Sequence, residues 1–94
     1  MTHFNSPYGV VTLTDERKRH ILTFHPDVRP YVRYFEMTLS DPERVVPSVH
    51  DSTVVIFYRL LSKPKKWLVI VVKTGEKPFI LTAYLAKKPR KVIL

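Results

Sequence analysis

Six side chains in this 94-residue sequence are candidates for moving protons or holding phosphate: His20, His25, Arg59, Lys73, Thr82 and Tyr84. An imidazole titrates near neutral pH, so it can take a proton from a hydroxyl or return one to a leaving oxygen. His20 and His25 are five residues apart and point about 140° away from each other on a helix wheel. One of them suffices for acid–base work. The spacing does not suit a shared metal, which wants ligands three or four residues apart on one face and further ligands nearby. Lys73 ends the apolar run Leu68 to Val72, and Arg59 follows Val55 and Phe57 in the alternation of the neighbouring strand, so both cations sit at the ends of apolar strands. A cation fixed there can stabilise the extra charge of a phosphoryl transition state, or its stem can cover apolar surface while the charge rests in water. Thr82 and Tyr84 share one side of a strand, where a hydroxyl and a phenol can meet a phosphate or a base edge or simply face solvent.

The elements that must position these groups follow from periodicity. Tyr8 to Thr12 reads as a short strand. Thr14 then offers a hydroxyl N-cap, and Asp15 and Glu16 sit where the helix dipole favours negative charge. The pattern predicts a helix from about Asp15 to Phe24, stopped by Pro26. A second helix is expected from about Asp27 to Leu39, because Val28, Tyr31, Val32, Phe35 and Leu39 recur at helical spacing and Pro30 is tolerated in a first turn. Beyond Asp41-Pro42 the period changes from 3.6 to 2. Strands are expected at Arg44 to Val49, Thr53 to Leu61, Lys66 to Lys73 and Pro78 to Leu85, with Val92-Ile93-Leu94 as a short extra strand or a fraying end. The fold class is therefore α+β: two N-terminal helices packed on a four-stranded antiparallel sheet, with Phe35, Leu39, Leu81 and Ala83 in the core. The length allows one domain, residues 1–94.

Charge is the most informative bulk property. The chain carries a formal +8, and the excess lies in one half: Met1 to Tyr58 holds six basic and seven acidic residues, Arg59 to Leu94 ten basic and Glu76 alone. Such a field attracts polyanions. Lys63, Lys65, Lys66, Trp67, Lys87, Lys88, Arg90 and Lys91 are the candidate nucleic-acid contacts, with Tyr58, Trp67 and Tyr84 available for stacking on bases. Without cysteine there is no disulfide framework, thiolate metal site or cysteine nucleophile, and a reducing, cytoplasmic setting is expected. The start of the chain lacks a signal-peptide pattern and no apolar run is long enough to span a bilayer, so no membrane partner is expected. Two glycines cannot build a glycine-rich phosphate loop. No metal or cofactor is expected.

The stretches Thr14-Asp15-Glu16-Arg17 through His20-Ile21-Leu22, His25-Pro26, Asp41-Pro42-Glu43-Arg44-Val45, Phe57-Tyr58-Arg59, Leu68-Val69-Ile70-Val71-Val72-Lys73 and Leu81-Thr82-Ala83-Tyr84-Leu85 occur in an order that resembles the phage-type members of the barnase, EndoU, colicin and RelE-like (BECR) ribonuclease superfamily. The resemblance covers about Val11 to Lys88 and implies a RelE/barnase-like fold. It also implies a metal-independent toxin or effector endoribonuclease that joins the ribose 2′-hydroxyl to the adjacent phosphate and leaves a 2′,3′-cyclic end. By position, His20 and His25 look like the helix histidines, Arg59 and Lys73 like the strand cations, and Thr82 with Tyr84 like the final polar pair. The partners so implied are RNA and an acidic antitoxin or inhibitor protein. Two other readings remain open at this point: a basic RNA- or DNA-binding module without catalysis, and a protein-interaction domain for an acidic partner.

Overall fold

The computed structural model describes residues 1–62 and 65–89. The chain begins with a hairpin, β1 (Thr2–Ser6) and β2 (Gly9–Leu13), closed by a turn in which Gly9 adopts φ of 99°, a value that L side chains rarely reach. The Ser6 hydroxyl secures the turn by donating to the Gly9 carbonyl at 2.8 Å and accepting from the Tyr8 amide at 3.0 Å. Helix α1 (Asp15–Phe24) starts where the Thr14 hydroxyl accepts from the Arg17 amide at 3.1 Å, as the sequence predicts. It stops at His25, whose amide donates to the Ile21 carbonyl at 2.7 Å.

The second expected helix is divided. Pro26–Tyr34 is a 3-10 helix, and only Phe35–Ser40 is α-helical, here α2. Pro26 and Pro30 explain the difference: Pro30 has no amide to offer the carbonyl four residues back, and its ring crowds that carbonyl. The apolar pattern still buries Val28, Phe35 and Leu39.

Strands β3 (Arg44–Pro47), β4 (Val54–Leu60), β5 (Trp67–Lys73) and β6 (Phe79–Ala86) follow. They pair antiparallel in the order 6-5-4-3, close to the expected positions. The expectation of a four-stranded antiparallel, RelE/barnase-like sheet is nevertheless overturned. The sheet is six-stranded, mixed and curled, in the order β1-β2-β6-β5-β4-β3, because the hairpin adds to it and β2 joins β6 in parallel. The joint is short: Thr12 faces Phe79, and the Thr12 amide donates to the Pro78 carbonyl at 3.0 Å. In β1 only Phe4 is strongly apolar, too little for alternation to reveal a strand.

Most of the core lies between the helices and one sheet face, built from Val11, Phe57, Leu68, Ile70, Ile80 and Ala83 with Ile21, Val28, Phe35 and Leu39. Phe4 of β1 reaches α2, its ring centroid 6.3 Å from that of Phe35. One expected core position shifts. A register shift opposite Val71 and Val72 leaves Leu81 out of the pairing, so Ile80 is buried instead and Leu81 only half-buried. An extra residue of this kind reverses the alternation on one side of it. The outer face is not a plain solvated surface either. Val46, Ile56, Tyr58 and Val69 are buried there beside Trp67, Val71, Tyr84 and Ala86. The continuous apolar run of β5 belongs to a strand covered on both faces.

Candidate active site on the outer sheet face

The register assigns each candidate to a face, since residues directly opposite in a ladder point the same way. Val71 pairs with Thr82 and Val69 with Tyr84, and Val69 and Val71 lie on the outer face with Lys73 two residues further on. Thr82, Tyr84 and Lys73 therefore share the outer face. The bulge contributes to this arrangement, because it turns Ile80 into the core and places Phe79 opposite Lys73.

His25 reaches the same place from the helical layer. Beyond the single Thr12–Phe79 joint β6 has no strand partner on that side among the described residues, and α1 and the 3-10 helix pack along it instead. His25 sits between them, capping α1 through its amide and accepting from the Val28 amide at 3.0 Å through its carbonyl. Its ring centroid lies 5.9 Å from that of Tyr84. His25, Thr82 and Tyr84 are all half-buried, at the edge of solvent. The arrangement offers a proton carrier, a phenol and a hydroxyl on one strip of surface.

The other candidates divide. The Lys73 ammonium leans toward the β3–β4 turn, where it binds Asp51 Oδ2 at 3.0 Å and the Thr53 hydroxyl. Asp51 also accepts from the Thr53 amide at 2.9 Å and hydroxyl at 2.6 Å. Those bonds from Thr53, and then the one from Lys73, pull the Asp51 carboxyl from an ordinary 3.8 to about 2. His20 is exposed on α1 and its ring lies 4.6 Å from that of Phe24, so the structure does not bring it to Tyr84.

Arg59 is opposite Leu68, on the helix-bearing face. Its guanidinium donates to the Asp41 carbonyl at 3.0 Å and lies 3.6 Å from Glu43, and Glu43 in turn accepts from the Leu60 amide at 3.2 Å. Among the described residues its buried Nε has no hydrogen-bond partner. Arg59 thus ties β4 to the loop after α2, on the opposite side of the sheet from Thr82.

Of the expected nucleic-acid contacts, Lys65 is exposed and Lys66 and Trp67 half-buried before and at the start of β5, with Trp67 edge-on to Tyr58 at 6.3 Å. Lys87 and Lys88 are exposed just beyond β6. Lys63, Arg90 and Lys91, and the expected strand Val92-Ile93-Leu94, lie outside the described residues. Tyr58 is 1% exposed, too covered to stack on a base as it stands.

Sequence reasoning missed a basic cleft between α1 and the 3-10 helix, lined by Lys18, Arg19 and Arg29. Counting charge by halves of the chain hid it, because acidic residues elsewhere in the first half cancel the sum. The signal was the spacing of Lys18 to Leu22 and Arg19 to Thr23, which repeats one helical turn. Among the described residues no group of three or more His, Asp or Glu side chains could hold a metal ion, and no helix is long and apolar enough to cross a membrane. Comparison with known proteins finds no family model, curated protein or solved structure that matches the chain.

Proposed function

We propose that the chain is a metal-independent endoribonuclease of the toxin or effector type, related to the BECR superfamily, working at His25, Thr82 and Tyr84. The observation that carries this reading is the packing of the His25 imidazole against Tyr84, on the strip of sheet that also holds Thr82. His25 takes the proton of a ribose 2′-hydroxyl. The 2′-oxygen then bonds to the adjacent phosphorus, and the bond from phosphorus to the 5′-oxygen breaks. The departing 5′-oxygen takes up a proton from the imidazolium or from water, leaving a 2′,3′-cyclic phosphate. Thr82 and Tyr84 donate hydrogen bonds to the non-bridging oxygens as charge builds. Lys73 lies diagonally from Thr82, within the reach of a long side chain, and a substrate phosphate competes with Asp51 for its ammonium. RNA is the substrate, an acidic inhibitor protein suits the chain's net charge of +8, and the setting is cytoplasmic.

The test compares turnover of an RNA oligonucleotide by His25→Ala and His20→Ala. His25→Ala should lose at least about a hundredfold, while His20→Ala keeps most of its activity. Equal losses in the two would remove His25 from its role.

One observation favours a second reading, a basic RNA-binding module without catalysis: the Lys73 ammonium is already bonded to Asp51 and Thr53. In that case purified protein binds RNA and leaves it uncut.

A further inference from the structure

The cleft between α1 and the 3-10 helix has a volume of about 270 Å³ and is lined by Asp15, Lys18, Arg19, Leu22, Thr23 and Arg29. Three cations face one carboxylate, and that carboxylate already binds the Met1 ammonium at 2.8 Å. The hydrogen bond and charge of that ammonium hold the Asp15 carboxyl below its ordinary range. Among the described residues Lys18, Arg19 and Arg29 make no ion pair within 4.0 Å. Like charges gathered around one concavity repel each other and raise the local concentration of anions.

Lys18 lies seven residues before His25, about 10 Å along the axis of α1. Leu22, in the cleft wall, lies in the last turn of α1, three residues before the cap residue His25. The separation of Lys18 from His25 is more than one internucleotide linkage covers, so a strand must extend past the bond that is cut to occupy both places.

We infer that this cleft is a phosphate-binding subsite for single-stranded RNA, seating a backbone phosphate beyond the one at the bond that is cut. The inference rests on the ribonuclease reading for the position of the cut, while the cleft's affinity for RNA can be measured without cleavage. Lys18 and Arg19 approach the phosphate from α1 and Arg29 from the 3-10 helix. A dinucleotide substrate fills the His25 site and cannot reach the cleft. A longer strand engages both.

The test uses the full chain, with Lys18→Ala, Arg19→Ala and Arg29→Ala combined. All three residues are exposed, and a thermal melt checks that the variant folds. Binding of a fluorescent ten-nucleotide 2′-O-methyl RNA, which cannot be cut at a ribose hydroxyl, is followed across a salt series. The variant should bind several-fold more weakly, and its slope of log affinity against log salt should become shallower by about 0.7 for each phosphate that the protein no longer neutralises. Its turnover of a dinucleotide should match wild type, while its KM for a ten-nucleotide RNA rises. Unchanged affinity and slope for the ten-nucleotide RNA would overturn the subsite. Loss of binding to phosphatidylserine vesicles with RNA binding intact would assign the cleft to a lipid surface and overturn it as well. If wild type cuts neither substrate, the ribonuclease reading falls while the binding result still decides the cleft.

Discussion

Lys73→Ala separates structure from catalysis, because the structure sets a ceiling on what the substitution can cost the fold. The Lys73 and Asp51 side chains are 37% and 45% exposed. Contacts that open to water, the ion pair to Asp51 and the bond to the Thr53 hydroxyl, contribute little to stability. Their loss therefore lowers the melting temperature only slightly. With a total stability of about 5–15 kcal/mol the protein stays folded at 25 °C. If Lys73 turns from Asp51 to the substrate phosphate, its loss removes a fixed charge donor, worth about 3 kcal/mol of barrier or roughly a hundredfold in turnover. The assay pairs initial rates on an RNA oligonucleotide in EDTA with a melt followed by circular dichroism. The expected result is a small shift in melting temperature and a large fall in rate. An unchanged rate would show that Lys73 only braces the β3–β4 turn, and a rate that fell in step with the folded fraction would refute a catalytic role.

Two further outcomes test the framework around the site. Ile80→Ala should destabilise the protein by about 2–5 kcal/mol in chemical denaturation, and Leu81→Ala by clearly less, since the bulge buries Ile80 and leaves Leu81 half-covered; equal costs would contradict the register. Asp51 titrates lower in the folded chain than its ordinary 3.8, near 2, so its contribution to stability is complete above that ordinary value and is lost as pH falls between the two. Asp51→Asn should therefore flatten the pH dependence of the melting temperature in that window, and an unchanged acid limb would count against the Asp51, Thr53 and Lys73 cluster.

The parts of the fold that could be read from sequence are those with local physical signatures. Thr14 before Asp15 and Glu16 marks the start of α1, and Pro26 marks its end. Alternation and turn chemistry locate β3 to β6. Features set by tertiary pairing are less accessible. The parallel joint between β2 and β6 links residues far apart in the chain, and nothing around Thr12 announces it. The bulge at Leu81 leaves a strand that looks regular in sequence, so alternation points to the wrong neighbour for the core.

The candidate site is legible in the same uneven way. Thr82 and Tyr84 follow from period-2 alternation, and their place on one face survives the bulge because both lie beyond it. His25 comes beside Tyr84 because two helical segments pack along β6, which spacing in α1 alone does not reveal. Arg59 sits at the end of an apolar strand just as Lys73 does, yet it faces the helices, where Asp41 and Glu43 hold it.

The most direct test of the account is end-group analysis of a defined RNA incubated with purified protein in EDTA, beside the His25→Ala variant. The account predicts fragments with 2′,3′-cyclic phosphate and 5′-hydroxyl ends from wild type and intact RNA from the variant over the same time. Intact RNA with both proteins, or fragments from both at the same rate, would contradict it.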